Sequence, residues 1–117
     1  MIKLLAFLLV LLVGGVARPP VPVAHYQGPQ PVVFPHPQHL KTRSPARLLV
    51  AGLEHGASTV TVIAANGHWP ARPAAHGAFV ARARTPRLVG PWELRVRFHL
   101  HGHVFTVLGA VFEVDQR

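Results

Sequence analysis

Three histidines near the C-terminal end of the chain, His99, His101 and His103, alternate with other residues. On an extended strand, residues i and i+2 share a face and lie about 6.6 Å apart, so two imidazoles at that spacing can converge on one metal ion. Imidazole nitrogen is a common ligand of zinc and of copper(II). The spacing therefore predicts a candidate copper or zinc site at these three residues. His68 and His76, beside predicted loops, are candidate further ligands.

The same segment resembles the carboxy-terminal copper motif of multicopper oxidases, His-x-x-His-x-His. Alignment of His99 and His101 with the last two histidines places Val96 where the first is needed. A type 1 copper centre also needs a cysteine thiolate, and the chain has no cysteine. A working oxidase in this chain alone is therefore excluded. The other interpretation of residues 99–103 is a polar turn at a hairpin tip, with Gly102 as turn residue.

The basic charge of the chain has two interpretations, which are an ordinary soluble, basic exterior and attraction to an anionic partner. Its 117 residues include 12 Lys and Arg against 4 Asp and Glu, a formal net charge of +8. Because residues 1–17 are typical of a signal peptide, we expect export, and the partner would then be an anionic membrane surface or an envelope or membrane protein rather than nucleic acid. No nucleophile elbow, paired carboxylates or glycine-rich phosphate loop is present, so we expect no enzymatic activity.

The N-terminal residues are typical of a signal peptide. Lys3 precedes the apolar run 4–13, and small residues follow at 14–17. The run is shorter than the about 20 residues of a membrane-spanning helix. We expect cleavage after Ala17, with an uncleaved membrane anchor as the alternative, and an extracytoplasmic location in both cases. Residues 18–31 are rich in proline and are predicted to form an extended linker, followed by a domain at 32–117.

Several short segments of the domain alternate between apolar and polar residues, as β-strands do. The clearest are 58–64 and 92–98, where Trp92 falls on the apolar side and is predicted to lie in the core. Further strands are predicted at 47–51, 77–83 and 104–114, with an edge strand at 32–34. No segment after residue 17 has helical periodicity. The pattern predicts an all-β fold, an immunoglobulin-like antiparallel β-sandwich.

Two blocks resemble the YtkA-like domain family, which includes FixH, a factor associated with assembly of haem-copper oxidases. A Gly-x-aromatic strand is present at Gly77 and Phe79, and a Gly-x-Trp strand at Gly90 and Trp92. The resemblance implies a small exported immunoglobulin-like domain with a role in respiratory oxidase assembly or metal handling. The family often carries methionines in mid-domain, whereas the one methionine here is Met1. Any metal binding must therefore use histidine, which favours copper(II) or zinc over copper(I).

Overall fold

The computed structural model describes residues 25–117, and in this part of the chain the fold is all-β, as predicted. The predicted signal peptide and its cleavage site lie outside the described residues. Within residues 25–117 no helix is long and apolar enough to cross a membrane. The strands are β1 (Val32–His36), β2 (Leu40–Lys41), β3 (Pro45–Ala51), β4 (Ser58–Ala64), β5 (Gly67–Pro73), β6 (Phe79–Arg84), β7 (Gly90–Leu100) and β8 (His103–Asp115).

The strands form an eight-stranded mixed sheet in the order β1-β3-β6-β5-β4-β7-β8-β2. Strand β5 joins two halves of the sheet, one made of β1, β3 and β6 and the other of β4, β7, β8 and β2. Its first residues pair with β4, and its last residues, from Ala71, pair with β6. All described pairs are antiparallel except the short parallel pair of β2 with β8, which the sequence did not predict. The two-sheet immunoglobulin-like arrangement stays a prediction.

One hydrophobic core serves both halves of the sheet. Alternation along β7 buries Trp92, Leu94, Val96 and Phe98, as the sequence predicts, while the residues between them face outward. The same alternation on β3 buries every second residue from Ala46. These side chains belong to one buried cluster, in which β1 and β3 are packed with β7. The prediction that Trp92 is a core residue is confirmed, with 3% of it exposed.

The β4–β5 hairpin positions Asn66 beside this core. The two turn residues of this hairpin are Ala65 and Asn66. Asn66 accepts a hydrogen bond from Nε1 of Trp92 at 2.9 Å and donates one from Nδ2 to the carbonyl of Arg84, also at 2.9 Å. The side chain therefore links the hairpin to β7 and to the end of β6.

The β7–β8 hairpin contains a β-bulge at Gly109. Leu94 pairs with Ala110 and Arg95 with Leu108, so Gly109 is the extra residue. A Cβ at this position would lie 2.7 Å from Cγ2 of Val33 and 3.0 Å from Cγ2 of Val96. The missing side chain thus lets β1 approach β8, although the two strands are not neighbours in the sheet order.

Candidate functional site

The predicted histidine site lies at the tip of the β7–β8 hairpin. Leu100 pairs with His103, so His101 and Gly102 form a two-residue turn, and the prediction of a hairpin tip is confirmed. Both turn residues have positive φ, 51° at His101 and 78° at Gly102, as a type I′ turn requires. Glycine adopts this conformation without strain. All three histidines are exposed.

The register of the hairpin separates His99 from His103. Residues directly opposite each other in an antiparallel pair share a face of the sheet. His103 is opposite Leu100 and therefore lies on the core side, whereas His99 is opposite Val104 on the outer side. His101 is in the turn, where the strand spacing no longer applies. The i, i+2 spacing in the sequence thus does not place three imidazoles on one face.

His101 and His103 line a depression that the sequence did not predict. Its other lining residues include Tyr26 and Glu54, and its volume is about 310 Å³. Tyr26 belongs to the segment predicted as a linker, yet its ring packs edge-on against Phe98, with centroids 5.0 Å apart. Burial, followed by the nearby Glu54 carboxylate, raises the pKa of Tyr26 above its ordinary value.

The other two candidate ligands lie away from the hairpin tip. His68 is opposite Ile63, at the far end of β4 from Ser58, which is opposite His99. Five residue rises of about 3.3 Å each separate Ser58 from Ile63, roughly 16 Å. His76 lies in the short turn between β5 and β6 and is exposed. Among residues 25–117, no three histidine, aspartate or glutamate side chains are placed to hold one metal ion.

A second candidate site lies on the outer side of β1, β3, β6 and the C-terminal half of β5, which we call the basic face. Arg47 on β3 is directly opposite Arg82 on β6, and on its other side it is opposite His36 on β1. These three residues form a basic row across neighbouring strands. Arg72 on β5 lies one row away, opposite Val80. Arg47, Arg72 and Arg82 line a depression of about 510 Å³.

No carboxylate offsets the charge of the basic face. The four acidic residues of the chain lie elsewhere, with Glu54 in the β3–β4 loop, Glu93 on β7, and Glu113 and Asp115 on β8. The one ion pair among residues 25–117 joins Arg95 and Glu93 at 2.7 Å on the other half of the sheet. Like charges directly opposite each other destabilise a sheet. The Arg47–Arg82 pair therefore lowers the stability of the fold, and core packing does not explain why these residues are paired.

An apolar row runs beside the basic row on the same face. Phe34 is opposite Leu49, and Leu49 is opposite Val80. Phe34 is 52% exposed and Leu49 is 37% exposed. The basic face was not predicted, because its residues are far apart in the sequence. The one feature of the sequence that could have indicated this face was the alternation at the end of β6, where exposed Arg82 and Arg84 each follow a buried alanine.

Comparison of the chain with protein-family models, with curated proteins and with solved structures finds no match. The resemblance to the YtkA-like family therefore stays a prediction.

Proposed function

We propose that this chain is a non-enzymatic binding domain of the cell envelope that holds an anionic partner on its basic face. The observation that carries the proposal is the cross-strand pair of Arg47 and Arg82. Both line a depression that Arg72 also lines, and no acidic residue lies on that face. An anionic ligand would remove the repulsion within the pair and accept charge-assisted hydrogen bonds from planar guanidinium groups. The export signal predicted from the sequence supports the envelope location.

A solution titration with a soluble polyanion tests this proposal. Inorganic polyphosphate is the probe, and calorimetry or fluorescence anisotropy measures its affinity at several salt concentrations. We expect binding that weakens as salt rises, because exposed charges are screened. The double variant Arg47→Gln/Arg82→Gln should lose more than tenfold in affinity, since even one hydrogen bond to a charged group contributes about 1.5–3 kcal/mol and about 1.4 kcal/mol is a factor of ten.

The matched control removes the same charge from another surface. Arg87 lies in the loop before β7 and Arg97 faces outward on β7, and both are exposed. The variant Arg87→Gln/Arg97→Gln has the same net charge as the test variant. Equal losses in the two variants would mean that only net charge matters, and the basic face would then not be the binding site.

A finer role in respiratory oxidase assembly rests on the resemblance to the YtkA-like family alone. Deletion of the gene should then lower haem-copper oxidase activity in membranes, and re-expression of the chain should restore it. Unchanged oxidase activity in the deletion strain would remove this role while leaving the binding proposal intact.

The alternative function of a copper or zinc carrier has less support, because the hairpin places His99 and His103 on opposite sides of the sheet.

A further inference from the structure

We propose that the partner of the basic face is the surface of an anionic phospholipid bilayer. This inference rests on the proposed function and names its ligand. The bilayer inference depends on the basic row and the apolar row lying side by side on one exposed surface of the sheet. A soluble polyanion needs only the arginines, whereas a bilayer offers phosphates and, just beneath them, a region that accepts apolar side chains.

The dimensions of the basic row suit a layer of lipid phosphates. His36, Arg47 and Arg82 occupy three neighbouring strands, so their backbones span about 10 Å. Arg72 adds a third guanidinium at the depression. Basic side chains near an anionic membrane surface each contribute about fivefold to binding. Since the four acids of the chain lie elsewhere, no repulsion from this face opposes the approach.

The apolar row supplies the part of the surface that a polyanion would not use. Phe34 is more than half exposed on β1, which is the terminal strand of the sheet among residues 25–117, so no further strand of this part of the chain lies beside it. Leu49 follows on β3, and Val32, 46% exposed, lies two residues before Phe34. An aromatic and two aliphatic side chains beside arginines form an interfacial surface, with the apolar groups at the acyl boundary and the guanidinium groups among the phosphates.

Vesicle sedimentation tests the inference with the chain as purified after expression. The probes are vesicles of phosphatidylcholine alone and vesicles of phosphatidylcholine mixed with phosphatidylglycerol. We expect partitioning onto the mixed vesicles and little onto the neutral ones. The variant Arg47→Gln/Arg82→Gln should reduce partitioning about 25-fold, the product of two fivefold factors, and Arg87→Gln/Arg97→Gln should reduce it much less. Equal binding to both kinds of vesicle would overturn the inference.

Substitutions in the apolar row separate a bilayer from a soluble polyanion. The variant Phe34→Thr/Leu49→Thr keeps strand-forming residues and should lose about tenfold in vesicle partitioning, from the apolar area no longer buried. Its affinity for polyphosphate should not change. The control Leu108→Thr/Val111→Thr alters two exposed apolar residues of β8 on another surface and should affect neither.

The outcomes distinguish this inference from the proposed function. Polyphosphate binding that needs Arg47 and Arg82, together with no vesicle binding, would overturn the bilayer inference and leave the proposed function standing. Absence of binding to both probes would overturn both. Urea unfolding of each variant must give a transition like that of the parent chain, so that a loss of binding is not a loss of fold. Where Phe34→Thr/Leu49→Thr fails this check, the single variant Leu49→Thr replaces it.

Discussion

The indole Nε1 of Trp92 donates a hydrogen bond to Oδ1 of Asn66 across 2.9 Å, so a buried donor on β7 depends on a turn residue 26 positions earlier in the chain. Trp92 is otherwise enclosed, and its ring forms a T-shaped pair with that of Trp69, with centroids 6.0 Å apart. The turn residue therefore satisfies the one polar side-chain atom of Trp92, and it connects the β4–β5 hairpin to β7, the strand that contributes more buried core residues than any other described strand.

Replacement of Asn66 should destabilise the fold. Asn66→Ala leaves the Trp92 donor without its acceptor and should lower the free energy of unfolding by about 1–3 kcal/mol, measured by urea denaturation. Asn66→Asp keeps an acceptor for Trp92 and should cost less. A double-mutant cycle with Trp92→Phe isolates the bond. A coupling free energy near zero would contradict this role for the bond.

Gly109 should tolerate no side chain while Val33 keeps its full volume. In Gly109→Ala the new Cβ would meet Cγ2 of Val33 and Cγ2 of Val96, and overpacking of this kind costs about 1–3 kcal/mol. Val33→Ala removes one of the two obstructing methyl groups. The double variant should therefore lose less stability in urea than the sum of the two single variants. Simple additivity would show that β1 does not restrict this position.

Metal titration should separate the hairpin histidines. Because His99 faces the opposite side of the sheet from His103, His99→Ala should leave the affinity for copper(II) and zinc unchanged in calorimetry. The variant for comparison is the double substitution His101→Ala/His103→Ala, because both of these residues line the same depression as Glu54. A large loss in His99→Ala would show that the three imidazoles do converge, and would favour the metal-carrier function.

Tyr26 should titrate above the ordinary tyrosine pKa of 10.0, because burial and then the Glu54 carboxylate both disfavour the phenolate. It is the one tyrosine of the chain, so tyrosinate absorbance reports on it alone. Glu54→Gln should lower the pKa of Tyr26 towards 10.0. A midpoint at or below 10.0 in the folded parent chain would contradict this prediction.

The same shift makes stability depend on alkaline pH. A pKa raised in the folded state means that the folded protein binds the proton more tightly than the unfolded chain does. The contribution of Tyr26 is complete below the unfolded pKa of 10.0 and is lost as pH rises through the higher folded pKa. The stability of the parent chain should therefore fall more steeply above pH 10.0 than that of Tyr26→Phe.

Most strands of the sheet were predictable from the sequence, and the short β2 and the proline-containing β5 were not. Residues 58–64 coincide with β4, and 92–98 form the middle of β7. Strand β5 was missed because Pro70 and Pro73 argue against a strand, yet both residues lie at its change of partner or at its end. Proline is tolerated at such positions, where a ladder hydrogen bond is not needed.

The candidate sites depended on register, which spacing in the sequence does not supply. The two-residue turn at His101 and Gly102 decides that His99 and His103 lie on opposite faces, and a turn one residue longer would have changed this. Likewise Arg47 and Arg82 are 35 positions apart and become neighbours only through the pairing of β3 with β6. Local patterns predicted which residues face outward, and long-range pairing decided which of them meet.

Strand β5 gives its amide and carbonyl groups to β4 over one part of its length and to β6 over the other. Detachment of either half of the sheet would therefore leave the other half with a broken edge and an opened core. Neither half is a self-sufficient folding unit, and partial unfolding intermediates should be scarce. The chain has no disulfides, so the hydrogen bonds of this shared strand are what hold the two halves of the sheet together. We therefore expect the domain to unfold cooperatively.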